Sequence, residues 1–288
     1  RQLDAVAAEL LLGFVEDLGV IVRLGDQVSG IDRYEEDGTE RFRVTLKSGP
    51  PTCFDAVVFA VGTRPNTELL AAAGVDCGRG VLVNDHLQTS DPLVYAMGEV
   101  AEHRGALHGV TAAAEEQAEV VARHIAGDVL AEYRGSLRMN VLKLSELDLS
   151  SIGIPEMPAG EAGYEEIVVL DRADGYYKKC IIKDDRLVGA ILMGDKAELA
   201  DFRRLIDSGL ELGERRQTLL RAGGAVVPAI GRVVCACGSV GEGNLAKAVD
   251  SGCTELNEIC AATGAGIGCG SCKPEVRRFL DTMLAGVA

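Results

Sequence analysis

Apolar positions recur along this chain with periods that change from stretch to stretch. From Leu3 onward, Val6, Ala7, Leu10, Leu11, Phe14, Val15 and Leu18 fall on one helical stripe that stops at Gly19. Val20-Ile21-Val22 then reads as a short strand. Residues 27 to 33 and 41 to 46 predict a hairpin, because Phe42, Val44 and Leu46 alternate and Asp37-Gly38 supplies the turn. Ala56 to Val61 is a continuous apolar run, the pattern of a strand buried on both faces in a parallel sheet. Thr89 to Val100 predicts a second short strand ending in Gly98 and the acid Glu99, followed by an Ala-rich helix over roughly residues 109 to 126.

Beyond residue 135 the pattern becomes that of antiparallel strands, at 167 to 170, 176 to 183 and 187 to 193, the last two joined by Asp184-Asp185. Ala197 to Ser208 reads as a helix closed by Gly209. Gly223-Gly224, with Pro228 close behind, marks a linker. After it, Leu245, Ala248 and Val249 define a short helix and Thr254 caps a second, with Leu256, Ile259 and Cys260 on its buried face. Pro274 starts a third, striped by Val276, Phe279, Leu280, Met283 and Leu284. The expected organisation is an α/β region over residues 1–135, a small α+β domain over 136–222 and a small all-α domain over 229–288.

Length agrees, since 288 residues suffice for two or three separate cores. Charge narrows the partners. There are 29 Lys+Arg against 44 Asp+Glu, a net charge of −15, and no basic stretch interleaved with aromatics, so nucleic acid is excluded as a partner. No apolar run is long enough to span a bilayer and no secretory leader pattern opens the chain, so a cytoplasmic protein without a membrane partner is expected. Reducing conditions there turn nine cysteines toward metal or redox roles rather than disulfides. The chain opens on Arg1 and its first helix has no strand before it, which predicts a fragment.

The densest chemistry is Cys235-Ala236-Cys237 together with Cys269-Gly270-Ser271-Cys272. Two close pairs in glycine-containing loops predict a metal centre with four thiolates. Positions two apart in extended backbone point the same way, so Cys235 and Cys237 are expected to face one site. The C-x-C spacing favours iron-sulfur over zinc, whose structural sites more often use two C-x-x-C pairs, but spacing alone leaves zinc open. A strand ending in Gly98-Glu99 before a helix N-terminus supplies a carboxylate for sugar hydroxyls and a partial positive charge for an anion.

The order Ala-Val-Gly-Thr-Arg-Pro-Asn ending at Asn66, Leu-Gln-Thr-Ser-Asp-Pro ending at Pro92 and Tyr-Ala-Met-Gly-Glu-Val-Ala-Glu ending at Glu102 resembles the C-terminal FAD-binding half of the pyridine nucleotide-disulfide oxidoreductase superfamily. That resemblance implies part of a flavoprotein with two dinucleotide-binding domains. It implies that Glu99 contacts the flavin ribityl chain, that Gly62 and Gly98 allow close backbone approach, and that the following helix points at the flavin pyrimidine edge. Many members carry Asp where this chain has Glu99. Neither of the family's two G-x-G-x-x-G loops occurs in the chain; Gly264 to Cys269 fails the pattern at its sixth position. The expectation is an incomplete FAD site and a largely missing NAD(P)H site. Cys53 and Cys77 are expected to be packing residues, and His103 and His108 to flank the start of the flavin-side helix, either lining the site or in surface or capping roles.

Met139 to Lys143, Tyr177-Lys178-Lys179 and Leu187 to Asp195 resemble the interface domain of assimilatory nitrite reductase large subunits, nitrate reductase electron-transfer subunits and rubredoxin reductases. Lys178, Lys179 and the Arg203-Arg204 pair are expected to form a solvated face, the alternative being a docking site for an acidic redox partner. Val234 to Cys237, Gly252-Cys253-Thr254 and Gly264 to Pro274 are similar to the bacterioferritin-associated ferredoxin-like 2Fe-2S domain. In that pattern Cys235, Cys237, Cys269 and Cys272 are the ligands, while Cys253 and Cys260 are packing residues.

The combined resemblance implies electron transfer from NAD(P)H through FAD to a 2Fe-2S cluster, feeding a sirohaem or molybdenum centre in a terminal reductase located elsewhere. No protein side chain is named as catalytic. The alternatives are a ferredoxin-like docking module without enzymatic activity and an NADH:rubredoxin-type reductase.

Overall fold

The computed structural model describes residues 2–142, 147–220, 228–268 and 270–285. They divide into one unit of residues 1–8 and 65–288 and a second of residues 9–64. The helix α1 (Ala5–Asp17) begins in the first and continues into the second, ending before Gly19, whose φ of 83° only glycine adopts readily.

In the second unit β1 (Val28–Glu36), β2 (Thr39–Leu46) and β3 (Thr52–Phe54) form an antiparallel sheet in that order. Asp37 and Gly38 both have positive φ, the two-residue turn that matches the twist of a hairpin, so this expectation holds. Two other expectations fail. Val20-Ile21-Val22 and Ala56 to Val61 form no strand, and Ile21, Val58 and Val61 are each at least 85% exposed. An apolar run becomes a central strand only where neighbours supply both hydrogen-bond ladders and both faces, and no described strand pairs with either run. Cys53, expected in packing, is exposed on β3.

The first unit continues with α2 (Glu68–Ala72), β4 (Val81–Val83), β5 (Ala101–His103), β6 (Ala106–Leu107) and α3 (Thr111–Ile125). β4 runs parallel to β5, and β5 antiparallel to β6, around a core of Val75, Val81, Ala96 and Ala101. The strand expected over Thr89 to Val100 reduces to a single bridge between Gln88 and Tyr95, and Gly98–Val100 is a turn of 3-10 helix. Gly98, with φ of 77°, cannot continue a strand. His103 is buried and its Nε2 lies 2.8 Å from Asp85 Oδ1, so it is neither a surface nor a capping residue.

β7 (Met139–Val141), β8 (Leu149–Gly153), β9 (Tyr164–Asp171), β10 (Tyr176–Lys183) and β11 (Arg186–Met193) make an antiparallel sheet ordered β7-β8-β11-β10-β9. Asp184 and Asp185 turn the chain with positive φ, which the short Asp side chain tolerates; Asp185 also accepts the backbone N–H of Leu212 and of Gly213. The helix α4 (Leu199–Ser208), closed by Gly209, packs Leu199, Phe202 and Leu205 against Cys180, Ile182, Ala190 and Leu192. Burial pushes the Cys180 thiol up to about 12, which keeps it protonated and inert.

Lys178 and Lys179 overturn the expected solvated face, being 1% and 6% exposed. Neighbours on a strand point to opposite faces, and each lysine meets its own carboxylates. On the α4 side Lys178 Nζ donates to Asp195 Oδ2 and Glu198 Oε2, both at 2.6 Å. On the other, Lys179 Nζ pairs with Asp4 at 3.0 Å and Glu166 at 2.8 Å, and Tyr177 Oη donates to Asp4 Oδ2 at 2.6 Å. Burial works against charge on Lys178, but its hydrogen bonds to the two carboxylates outweigh this and hold its pKa above the ordinary lysine value.

The last segment has β12 (Val233–Cys235) and β13 (Val240–Gly241) as a short antiparallel pair, then α5 (Glu242–Asp250), α6 (Leu256–Thr263) and α7 (Lys273–Ala285). The three helices stand where expected, around Leu245, Ile259, Val276 and Leu280, with the β pair added. Glu255, rather than Thr254, is the N-cap of α6; Glu258 reaches back to the backbone N–H of both. The expected linker glycines, Gly223 and Gly224, lie outside the described residues. Among the described residues no helix is long and apolar enough to cross a membrane.

Candidate metal centre

β12 delivers Cys235 to the core of the last segment and ends there; a turn over residues 236–239 carries Cys237. The sulfurs of Cys235 and Cys237 lie 3.5 Å apart. They meet through this turn, in which Ser239 has a φ of 52°, and not through the extended backbone that the spacing suggested. Cys272, just before α7, is buried with them in the same core. Cys269 lies outside the described residues, so three of the four expected ligands are brought together in view. Among the described residues no group of three His, Cys, Asp or Glu forms a ready metal site.

Glycines shape the space around these sulfurs. A Cβ on Gly268 would stand 2.5 Å from Cys237 Sγ, and one on Gly238 3.2 Å from Cys235 Sγ, so backbone approaches the sulfurs as no other residue type permits. Hydrogen bonding with Cys237 lowers the pKa of Cys235, but the neighbouring Cys272 and burial outweigh it and leave the thiol raised, even though the Gly266 N–H also favours the thiolate. Crowded buried thiols with a backbone N–H aimed at one of them are a donor set that a soft cation completes. Cys260 is buried beside Gly266, and Cys253 packs at the edge of the same core.

The flavin-side helix begins next to this loop. A Cβ on Gly270 would stand 3.5 Å from Ala112 in the first turn of α3, and Lys273 Nζ pairs with Glu115 Oε2 at 2.7 Å. No side chain caps α3, whose N-cap is Val110. Gly98 donates its N–H to Gln117 Oε1 at 2.6 Å, and the Nε2 of that fully buried glutamine has no partner among the described residues. Glu99 is exposed beside Gly109. Gly62 has a φ of 82° with open space where a Cβ would be; it belongs to the other unit.

Sequence reasoning missed Gln117 and the reach of Arg203. Arg203 donates to the carbonyl of Gly268, 65 residues away, and no local pattern signals such a contact. His108 lies against Tyr133, its pKa lowered first by burial and then by Arg138.

Residues 1–118 match the pyridine nucleotide-disulphide oxidoreductase family, residues 139–210 the rubredoxin NAD+ reductase C-terminal domain, and residues 233–282 the BFD-like [2Fe-2S] binding domain. The chain is 37% identical over 294 residues to a Nitrite reductase [NAD(P)H] of Bacillus subtilis (strain 168), covering 99% of this chain and 36% of that protein. The chain is thus similar to NAD(P)H nitrite reductases over part of their length. It is also 34% identical to the assimilatory nitrate reductase electron transfer subunit of the same organism, covering 98% of this chain and again 36% of the relative. The chain spans about a third of the length of the curated relatives it matches. Its fold is that of a putidaredoxin reductase solved in covalent complex with putidaredoxin, with a TM-score of 0.60 at 24% identity, over 73% of this chain and 50% of that one. The matched families imply FAD, NAD(P)H and a 2Fe-2S cluster as cofactors.

Proposed function

We propose that this chain passes electrons from NAD(P)H-reduced FAD to a 2Fe-2S cluster held by Cys235, Cys237, Cys269 and Cys272, and from there to a sirohaem or molybdenum centre of a cytoplasmic nitrite or nitrate reductase. The observation that carries this reading is the convergence of Cys235, Cys237 and Cys272 in the segment matching a 2Fe-2S domain, with Gly270 against the first turn of α3. When bound, the two cofactors convert a two-electron donor into single-electron deliveries.

The chain's own residues have distinct tasks in it. The uncapped N-terminus of α3 presents backbone N–H groups and a partial positive charge to the flavin edge. Glu99 offers a carboxylate to the ribityl hydroxyls, Gly98 keeps the backbone clear, and Gln117 has a spare amide donor beside Gly98. Gly238, Gly266 and Gly268 leave room for the cluster and direct one N–H at sulfur. The three segments, 1–135, 136–222 and 229–288, serve as flavin, interface and cluster modules. Because neither G-x-G-x-x-G loop occurs in the 288 residues, this chain by itself binds FAD and NAD(P)H weakly and is inactive.

The chain purified without oxygen is expected to be red-brown, to contain about two iron atoms per molecule, and to give a rhombic EPR signal after dithionite. Stoichiometric zinc without visible absorbance would sink the electron-transfer reading. Tight FAD binding to the chain alone would overturn the weak-site part.

A further inference from the structure

Arg203 belongs to α4, in the interface segment, yet its guanidinium reaches the loop of the second cysteine pair. Nη1 donates to the carbonyl of Gly268 at 3.0 Å. Gly268 immediately precedes Cys269 in sequence, and a Cβ there would come within 2.5 Å of Cys237 Sγ. Arg203 therefore holds the backbone that lies directly on one ligand sulfur. Its side chain is only 20% exposed, pairs with Asp207 at 3.2 Å and approaches Glu116 of α3 at 3.8 Å. Glu116 in turn accepts a hydrogen bond from Ser136 Oγ at 2.6 Å.

An arginine stays charged at any physiological pH, and half-buried it is screened less than a surface charge. Reducing a cluster adds one negative charge, so a fixed cation nearby stabilises the reduced form and a carboxylate beside that cation offsets it. Two further cations, like Arg203, have carboxylate partners: Lys273 pairs with Glu115, and Lys196, on the cavity of about 210 Å³ beside Arg203 and Cys237, pairs with Asp148.

Resting on the cluster reading proposed above, we infer that Arg203 is a positioning residue for the cluster: it fixes the Gly268 backbone over Cys237 and raises the cluster's reduction potential, with Glu116 moderating its charge. A helix of the interface segment thereby sets how readily the cluster accepts an electron from the flavin side.

Redox titration of the iron-loaded chain, followed by EPR, tests this with Arg203→Gln, Arg203→Lys and Glu116→Gln. The midpoint of R203Q is expected to be more negative than that of the parent, R203K to fall between them, and E116Q to be more positive. A role confined to folding predicts lower iron occupancy without shifts of opposite sign. Unchanged midpoints in R203Q and E116Q with iron retained overturn the inference. If R203Q does not retain iron, E116Q decides, a positive shift supporting the inference and an unchanged or negative one overturning it. A parent chain that binds zinc and no iron removes the cluster reading and this inference together; a parent with a normal iron signal and unresponsive variants removes only the inference.

Discussion

Two parts of the molecule bury groups that water would normally keep, and they balance them in opposite ways. In the middle sheet Lys178 and Lys179 are buried with two carboxylates each, so every charge is answered within the protein. Around Cys235, Cys237 and Cys272 the buried groups are alike, and although hydrogen bonding with Cys237 lowers the pKa of Cys235, Cys272 and then burial leave it raised. The first arrangement is complete and therefore structural. The second gathers soft sulfur donors of one kind, the set that a bound cation would complete.

The sharpest way to break the contrast is Gly268→Ala, whose Cβ would meet Cys237 Sγ at 2.5 Å and Met139 at 3.1 Å. Iron per chain, measured by metal analysis, is expected to fall several-fold while the fold of the middle sheet survives. Next comes Lys178→Ala, which strands Asp195 and Glu198 without their shared partner. Chemical denaturation should register a loss of about 3 kcal/mol, the cost of breaking a partly buried pair from one side. Equal iron loss in both variants would erase the distinction. Tyr177→Phe removes one hydrogen bond to the Asp4 carboxylate and should cost about 1.5 kcal/mol in the same measurement.

Acid tests the answered charges more gently. Hydrogen bonds from Arg104 and then His103 lower Asp85 from 3.8 to about 2. A depressed folded-state value means that its contribution is fully present above 3.8 and is lost as pH falls toward about 2. Asp85→Asn should flatten that part of the stability profile and leave neutral-pH iron content unchanged. The smallest effect is expected at Arg204, which is 70% exposed and pairs with Asp201 on its own helix; Arg204→Ala should change stability by less than about 0.5 kcal/mol.

Local rules explain which features the sequence made legible. The hairpin at Asp37-Gly38, the strands β9 to β11, the Gly209 stop and the three C-terminal helices each follow from spacing and turn chemistry within a few residues. The cysteine pairs were legible for the same reason. Ala56 to Val61 misled because a strand is a property of its neighbours as much as of its own residues. Lys178 and Lys179 misled because their burial depends on Asp195, Glu198, Asp4 and Glu166, which folding alone brings together. Arg203 was visible as a charge, but its acceptor is a backbone carbonyl that carries no sequence signal.

The bond from Tyr177 to Asp4 joins residues 173 positions apart, across the whole stretch 9–64 that forms a unit of its own. This makes the larger unit discontinuous in sequence. Its first residues leave the ribosome long before β10 exists to receive them, whereas the hairpin of β1 and β2 needs only its immediate neighbours. Local contacts form early and distant ones wait for loop closure, so the hairpin unit should gain structure first and the Asp4 connection last. During synthesis, then, Lys179 on β10 has Glu166 of β9 as its partner until the beginning of the chain brings Asp4 back to it.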